Sequence, residues 1–152
     1  MGRKKRTLEE LTSAWTHFEY EASMLIGVAH GLMSGVAYGS VIHNALVESF
    51  VIHLRNFIEF LWPEDAKKDT VIADDFMLGK QTWHRPAIPA ALAKAKIRAA
   101  QEVAHLTYSR LRLTPESKKW DFALADEVIA VFNEFARQLP VEVRNALAVD
   151  NG

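Results

Sequence analysis

Thr7-Leu8-Glu9-Glu10-Leu11-Thr12-Ser13-Ala14-Trp15-Thr16-His17-Phe18 decides the fold class. Thr7 and Glu10 have the spacing of a capping box. The threonine oxygen accepts from an orphan backbone N–H, and the glutamate reaches back to the cap. Behind the box, Leu8, Leu11, Trp15, Phe18, Ala22 and Leu25 recur at steps of three and four, one apolar stripe of an α-helix. The spacing predicts a first helix over residues 8–33.

Continuing outward, residues 22–47 carry no Asp, Glu, Lys or Arg, a run long enough to span a bilayer. Gly27, Gly31, Gly35 and Gly39 fall in it at four-residue steps, which would let two membrane helices approach closely. Polar His30, Ser34, Ser40, His43 and Asn44 interrupt the run and are costly in hydrocarbon. The expectation is therefore no membrane span. The run reads as the ends of two buried helices of a soluble bundle, with glycine where they crowd and a helix end near Gly35 to Gly39.

A second helix is expected over residues 38–62, stopped by Pro63. Phe50, Leu54, Phe57 and Leu61 mark its core, and Asn44, Glu48, Arg55 and Glu59 form a narrow polar stripe. Residues 63–88 read as a long acidic loop with apolar anchors at Phe76, Met77, Trp83 and Ile88 and a short helical turn over 73–78. Loops of this length are usually functional or packed over the core.

A third helix is expected over 89–113, with Pro89 in its first turn and Ile97, Ala100, Val103, Ala104, Thr107 and Leu111 facing inward. A fourth follows over 119–138, carrying Phe122, Val128, Ile129, Val131, Phe132, Phe135 and Leu139, and a last short one over 141–149. No strand-like alternation or hairpin turn is present. The expected fold is all-α: an up-and-down four-helix bundle with a long loop between the second and third main helices. Residues 1–6 form a basic, disordered tail, and residues 7–149 a single domain.

Hydrophobic residues make up 49% of the 152, enough for a real core. Cysteine is absent, which excludes disulfides, thiolate zinc sites and a cysteine nucleophile, and fits a reducing, cytoplasmic setting. The net charge of −1 hides an asymmetry: residues 80–119 hold nine Lys/Arg against two acids, whereas 7–79 hold three against eleven. One face could meet a polyanion while the remainder stays acidic, or the opposite charges could pair within a monomer or across a symmetric dimer.

His17, His30 and His43 recur every thirteen residues, but that step turns a helix by about 220°, so they share no face. The acidic stretch 64–75 lacks the spacing and glycine of a calcium loop. There is no phosphate-cradling glycine loop and no serine-nucleophile motif. No metal or cofactor is expected.

The third helix carries the remaining chemistry. Arg98 and His105 are seven residues apart, within about 20° on a regular helix. On that wheel Arg98, His105 and Arg112 point away from the interior, with Gln101, Glu102 and Tyr108 nearby. Histidine can act as acid or base near neutral pH, and arginine can clamp phosphate oxygens. Two such helices crossing at a twofold axis would enclose a basic cleft. In the second helix, His53-Leu54-Arg55-Asn56 has two readings. Arg55 or Asn56 supports that site, or His53 is a core histidine with a hydrogen-bond partner and Arg55 a salt-bridged surface residue.

An all-α bundle of this size with arginine, six residues, then histidine in its third main helix resembles the HEPN (higher eukaryote and prokaryote nucleotide-binding) superfamily. The resemblance covers roughly residues 7–140. It implies a homodimer, Arg98 and His105 in the catalytic positions, and metal-independent cleavage of RNA, with an antitoxin-type protein as a partner class. Ala99 and Ala100 follow the arginine where active members often carry a polar residue. Two functions stay open: RNA or nucleotide binding in a basic dimer-interface cleft, with or without cleavage, and a non-catalytic helical interaction module.

Overall fold

A computed structural model describes residues 4–104 and 108–150. Every regular element among them is helical: α1 (Leu8–Met33), α2 (Val41–Leu61), α3 (Ala90–Arg98), α4 (Leu124–Arg137) and α5 (Val141–Asp150). α1 packs chiefly along α2 and also meets α4 and α5, while α2 also meets α3 and α4. No described helix is long and apolar enough to cross a membrane.

Local chemistry sets the helix ends. Glu10 N–H donates to Thr7 Oγ1 at 3.1 Å and Thr7 N–H to Glu10 Oε2 at 2.8 Å, so the capping box starts α1 where the sequence places it. The bond from the Thr7 backbone holds the Glu10 carboxyl below its ordinary pKa. Arg6, expected in a solvated tail, donates to the Lys68 carbonyl at 2.8 Å and lies 3.6 Å from Glu10. α2 begins at Val41 rather than at 38, because Ser40 is its cap, its hydroxyl accepting from His43 N–H at 3.1 Å. Gly35 and Gly39 take φ of 100° and 76° in the turn between α1 and α2, a region open to glycine at little cost. The expected crowding at the other two glycines is not found. Nothing lies within 4 Å of a Cβ built at Gly27, and only Leu46 Cδ1 reaches 4.0 Å at Gly31.

The core is aromatic. Phe50, Phe57, Phe60, Phe76 and Phe135 are fully buried. Phe18 of α1 lies 4.2 Å from Phe60 of α2, and Trp15 stacks on Phe132 of α4 at 5.3 Å, centroid to centroid. The loop after α2 joins this core. A 3₁₀ turn (Ala73–Phe76) inserts Phe76, and Trp83 packs edge-on against Phe135 at 5.3 Å. Trp62 Nε1 ties the loop down by donating to the Pro86 carbonyl at 2.8 Å. Burying a phenylalanine contributes about 2–3 kcal/mol, so these anchors hold a long irregular stretch without regular structure.

The third helix departs from expectation. It is α-helical only to Arg98, continues as a π-helical turn (Ala99–Ala104), and a 3₁₀ turn (Tyr108–Arg112) follows. Its buried positions are Leu92, Ala95 and Ala99, whereas Ile97 is 59% and Leu111 81% exposed. The inward face expected at Ile97 and Leu111 is therefore corrected, whereas Val103 does pack against the core, and Thr107 lies outside the described residues. A π-turn adds about one residue per turn, so a regular α-helical wheel does not carry through Ala99–Ala104. Alanines at 95 and 99 mark the inner face too weakly to outweigh one isoleucine. α4 likewise starts at Leu124 rather than 119. Residues 119–123 are used in a turn, where Asp121 Oδ1 accepts from Ala123 N–H at 3.0 Å.

Candidate functional site

Arg98 does not project into open solvent. Its side chain is only 19% exposed and is enclosed by the segment that follows the 3₁₀ turn. Nε and Nη2 form a fork on Glu102 at 2.9 and 2.8 Å, Nη2 also donates to the Ser117 carbonyl at 2.7 Å, and Nη1 to the Lys119 carbonyl at 3.2 Å. Those four bonds use most of the guanidinium's five N–H groups. The Trp120 ring covers its face, 4.2 Å from centroid to Cζ. The sequence expectation that Arg98 points away from the interior is corrected. The charge is met by an acid one turn on and by two backbone carbonyls of residues 117–119.

The segment it holds is stiff in its own right. Thr114 and Ser117 bond reciprocally: Thr114 N–H to Ser117 Oγ at 2.8 Å, and Ser117 N–H to Thr114 Oγ1 at 3.1 Å. Thr114-Pro115-Glu116-Ser117 is thus a closed turn, and Arg98 pins its exit. Lys118, Lys119 and Trp120 follow directly.

The other expected site residues divide among several places. His105 lies outside the described residues. Tyr108 is 89% exposed, and Arg112 is exposed on the same 3₁₀ turn. Gln101 and Arg55 line one cavity of about 700 Å³ with Glu59, Glu64 and Lys96. Two ion pairs lie along it: Arg55 Nε donates to Glu59 Oε1 at 2.7 Å, and Lys96 Nζ is 3.2 Å from Glu64 Oε1. Asn56 turns to α1, donating to Glu21 Oε2 at 2.9 Å, and the buried His53 donates through Nδ1 to the same oxygen at 2.7 Å. His53 is therefore a core histidine with a partner, and Arg55 is salt-bridged. The Glu21–His53–Asn56 cluster clamps α1 to α2, and its only sequence signal was the polar pair 53 and 56 on an apolar helix. Among the described residues, no three His, Asp or Glu side chains converge as metal ligands.

A second cavity, of about 690 Å³, lies between the start of α2, the turn before it and residues 115–122. Leu32, Val36, Val47 and Phe122 give it an apolar floor, with Tyr38, His43, Lys118 and Lys119 among its other lining residues. Tyr38 packs on His43 at 4.9 Å. A smaller pocket of about 360 Å³ adjoins it, sharing Asn44, Val47, Lys118 and Trp120 and adding Glu48, Glu102 and Arg110. Arg110 donates to the Val103 carbonyl at 3.2 Å, while its buried Nε has no acceptor among the described residues. Nothing in the sequence singled out this groove, because its walls come from segments some 80 residues apart and its cations were read only as part of the basic stretch 80–119.

No family model, characterised protein or solved structure matches the chain.

Proposed function

We propose that the protein is a non-catalytic helical binding module, an up-and-down four-helix bundle whose Arg98 serves architecture rather than chemistry. The observation that carries this reading is the engagement of Arg98 by Glu102, two carbonyls and Trp120. A phosphate clamp needs a fork with free N–H groups. Offering that fork to a substrate would strip Glu102, itself 13% exposed, of its counter-charge. The helix contacts, α1 on α2 and α4 and α2 on α3 and α4, are compatible with the bundle arrangement.

A second reading keeps one observation in its favour. Lys80, Lys94, Arg112, Lys118 and Lys119 have no carboxylate partner among the described residues, which suits a polyanion. In that reading a HEPN-like homodimer binds RNA or a nucleotide in a basic interfacial cleft. His105 acts as acid or base, and an antitoxin-type protein is a partner.

One assay separates the two. The full chain, Arg98→Ala and His105→Ala are incubated with mixed RNA in EDTA, and the products are resolved on a denaturing gel. The binding-module reading expects the same background in all three. Cleavage by the full chain that disappears in both variants would establish the nuclease instead.

A further inference from the structure

We propose that the groove between the start of α2 and residues 115–122 is a binding site for a single-chain amphiphile with a carboxylate head. This deepens, and rests on, the reading of the protein as a binding module. The first observation is shape and lining. A cavity of about 690 Å³ falls within the range typical of small-ligand sites, roughly 300–1,000 Å³. Its floor of Leu32, Val36, Val47 and Phe122 offers hydrocarbon no hydrogen bonds, so an extended apolar chain is the body that gains by entering it.

The second observation is charge. Lys118 and Lys119 stand at the wall with no carboxylate partner among the described residues, and Lys118 is shared with the smaller adjoining pocket. Arg110 lines that pocket too, and its buried Nε has no acceptor among the described residues. A polar donor left unpaired away from water is costly, and an anionic oxygen nearby relieves the cost. The local balance also sets the head group. Arg98 already neutralises Glu102, while Glu48 lines the adjoining pocket and opposes the cations. The surplus positive charge is small, which suits a monoanion over a multiply charged phosphate or a nucleic-acid backbone. The cations at the mouth are ammonium point charges, not an open guanidinium fork, and can pair with a lone carboxylate without bidentate geometry.

The third observation is how the wall is held. The Thr114–Ser117 turn and the Arg98 bonds to the Ser117 and Lys119 carbonyls fix Lys118 and Trp120 at the groove before any ligand arrives. Preorganisation of this kind lowers the ordering cost of binding.

The test titrates the full chain calorimetrically with octanoate, 1-octanol and octylamine, each as monomer. Lys118→Glu is an exposed change that leaves the core untouched, and Val36→Trp fills the groove. Thermal melts verify that both variants fold. The expected result is one octanoate per chain, weakened at least tenfold by either variant, with octylamine not binding. No octanoate binding up to millimolar concentration would overturn the assignment. So would equal affinity for octanoate and 1-octanol, octanoate binding unchanged by Lys118→Glu, or displacement of octanoate by an RNA oligonucleotide. The RNA cleavage assay is a separate readout. Cleavage lost in the Arg98 and His105 variants removes the non-catalytic reading whatever octanoate does, and a failed octanoate titration removes only the ligand assignment.

Discussion

Two regions of the molecule are built on different physics. Through α1, α2, α4 and the loop that supplies Phe76, cohesion comes from interlocked aromatic rings, with Phe57 and Phe60 fully buried among Phe18, Phe76 and Phe132. From Arg98 to Trp120 cohesion comes from one guanidinium, one carboxylate and backbone carbonyls, around a π-turn and a reciprocally bonded Thr114–Ser117 turn. The first region is stabilised by area and has many redundant contacts. The second depends on a few directional bonds and has little redundancy. The second region can rest on so few bonds because the aromatic core holds the helices at both of its ends.

The comparison breaks most visibly at Phe57. Phe57→Ala leaves a cavity at the centre of the aromatic cluster and should lower the free energy of unfolding by about 4 kcal/mol. Urea denaturation followed by circular dichroism would measure it. A loss below 1 kcal/mol would mean that the rings repack freely and the contrast is false.

Arg98→Ala is the matching cut in the other region. It leaves Glu102 nearly buried without its counter-charge and releases two carbonyls, so a loss of about 3 kcal/mol is expected. Amide exchange sharpens the point. Protection should fall across residues 114–120 while α1 and α2 keep theirs, a local opening that the Phe57 variant should not produce. A uniform loss along the chain would place Arg98 in the same cooperative unit as the core.

Glu21→Ala should have the smallest effect, about 1–2 kcal/mol, because it removes the shared acceptor of His53 and Asn56 but no apolar area. Thermal melts of Glu21→Ala and Glu21→Gln would check it. The amide should recover part of the loss by accepting from one of the two donors.

What the sequence made legible follows the same divide. The capping box at Thr7, the apolar stripes of α1, α2 and α4, and the loop anchors at Phe76 and Trp83 were readable, because burial leaves a periodic or aromatic signature. The phase of the third helix was not. Its inner face is made of Leu92, Ala95 and Ala99, and the regular wheel stops at Arg98, where the π-turn begins. The pairing of Arg98 with Glu102 could have been read from their four-residue spacing. Its bonds to the Ser117 and Lys119 carbonyls could not, since a carbonyl is supplied by any residue. The groove beside Trp120 was hidden for a related reason: it exists only where distant segments meet.

That anonymity of the carbonyl has an evolutionary consequence. Arg98 grips residue 119 by a group every amino acid possesses, so the side chain there is free to vary without loosening the grip. The positions that display charge to the outside can drift or be selected while the fastening stays constant. A library randomised at 118 and 119 should yield folded proteins almost throughout, with diverse surfaces, provided the arginine and tryptophan that secure the backbone are left alone.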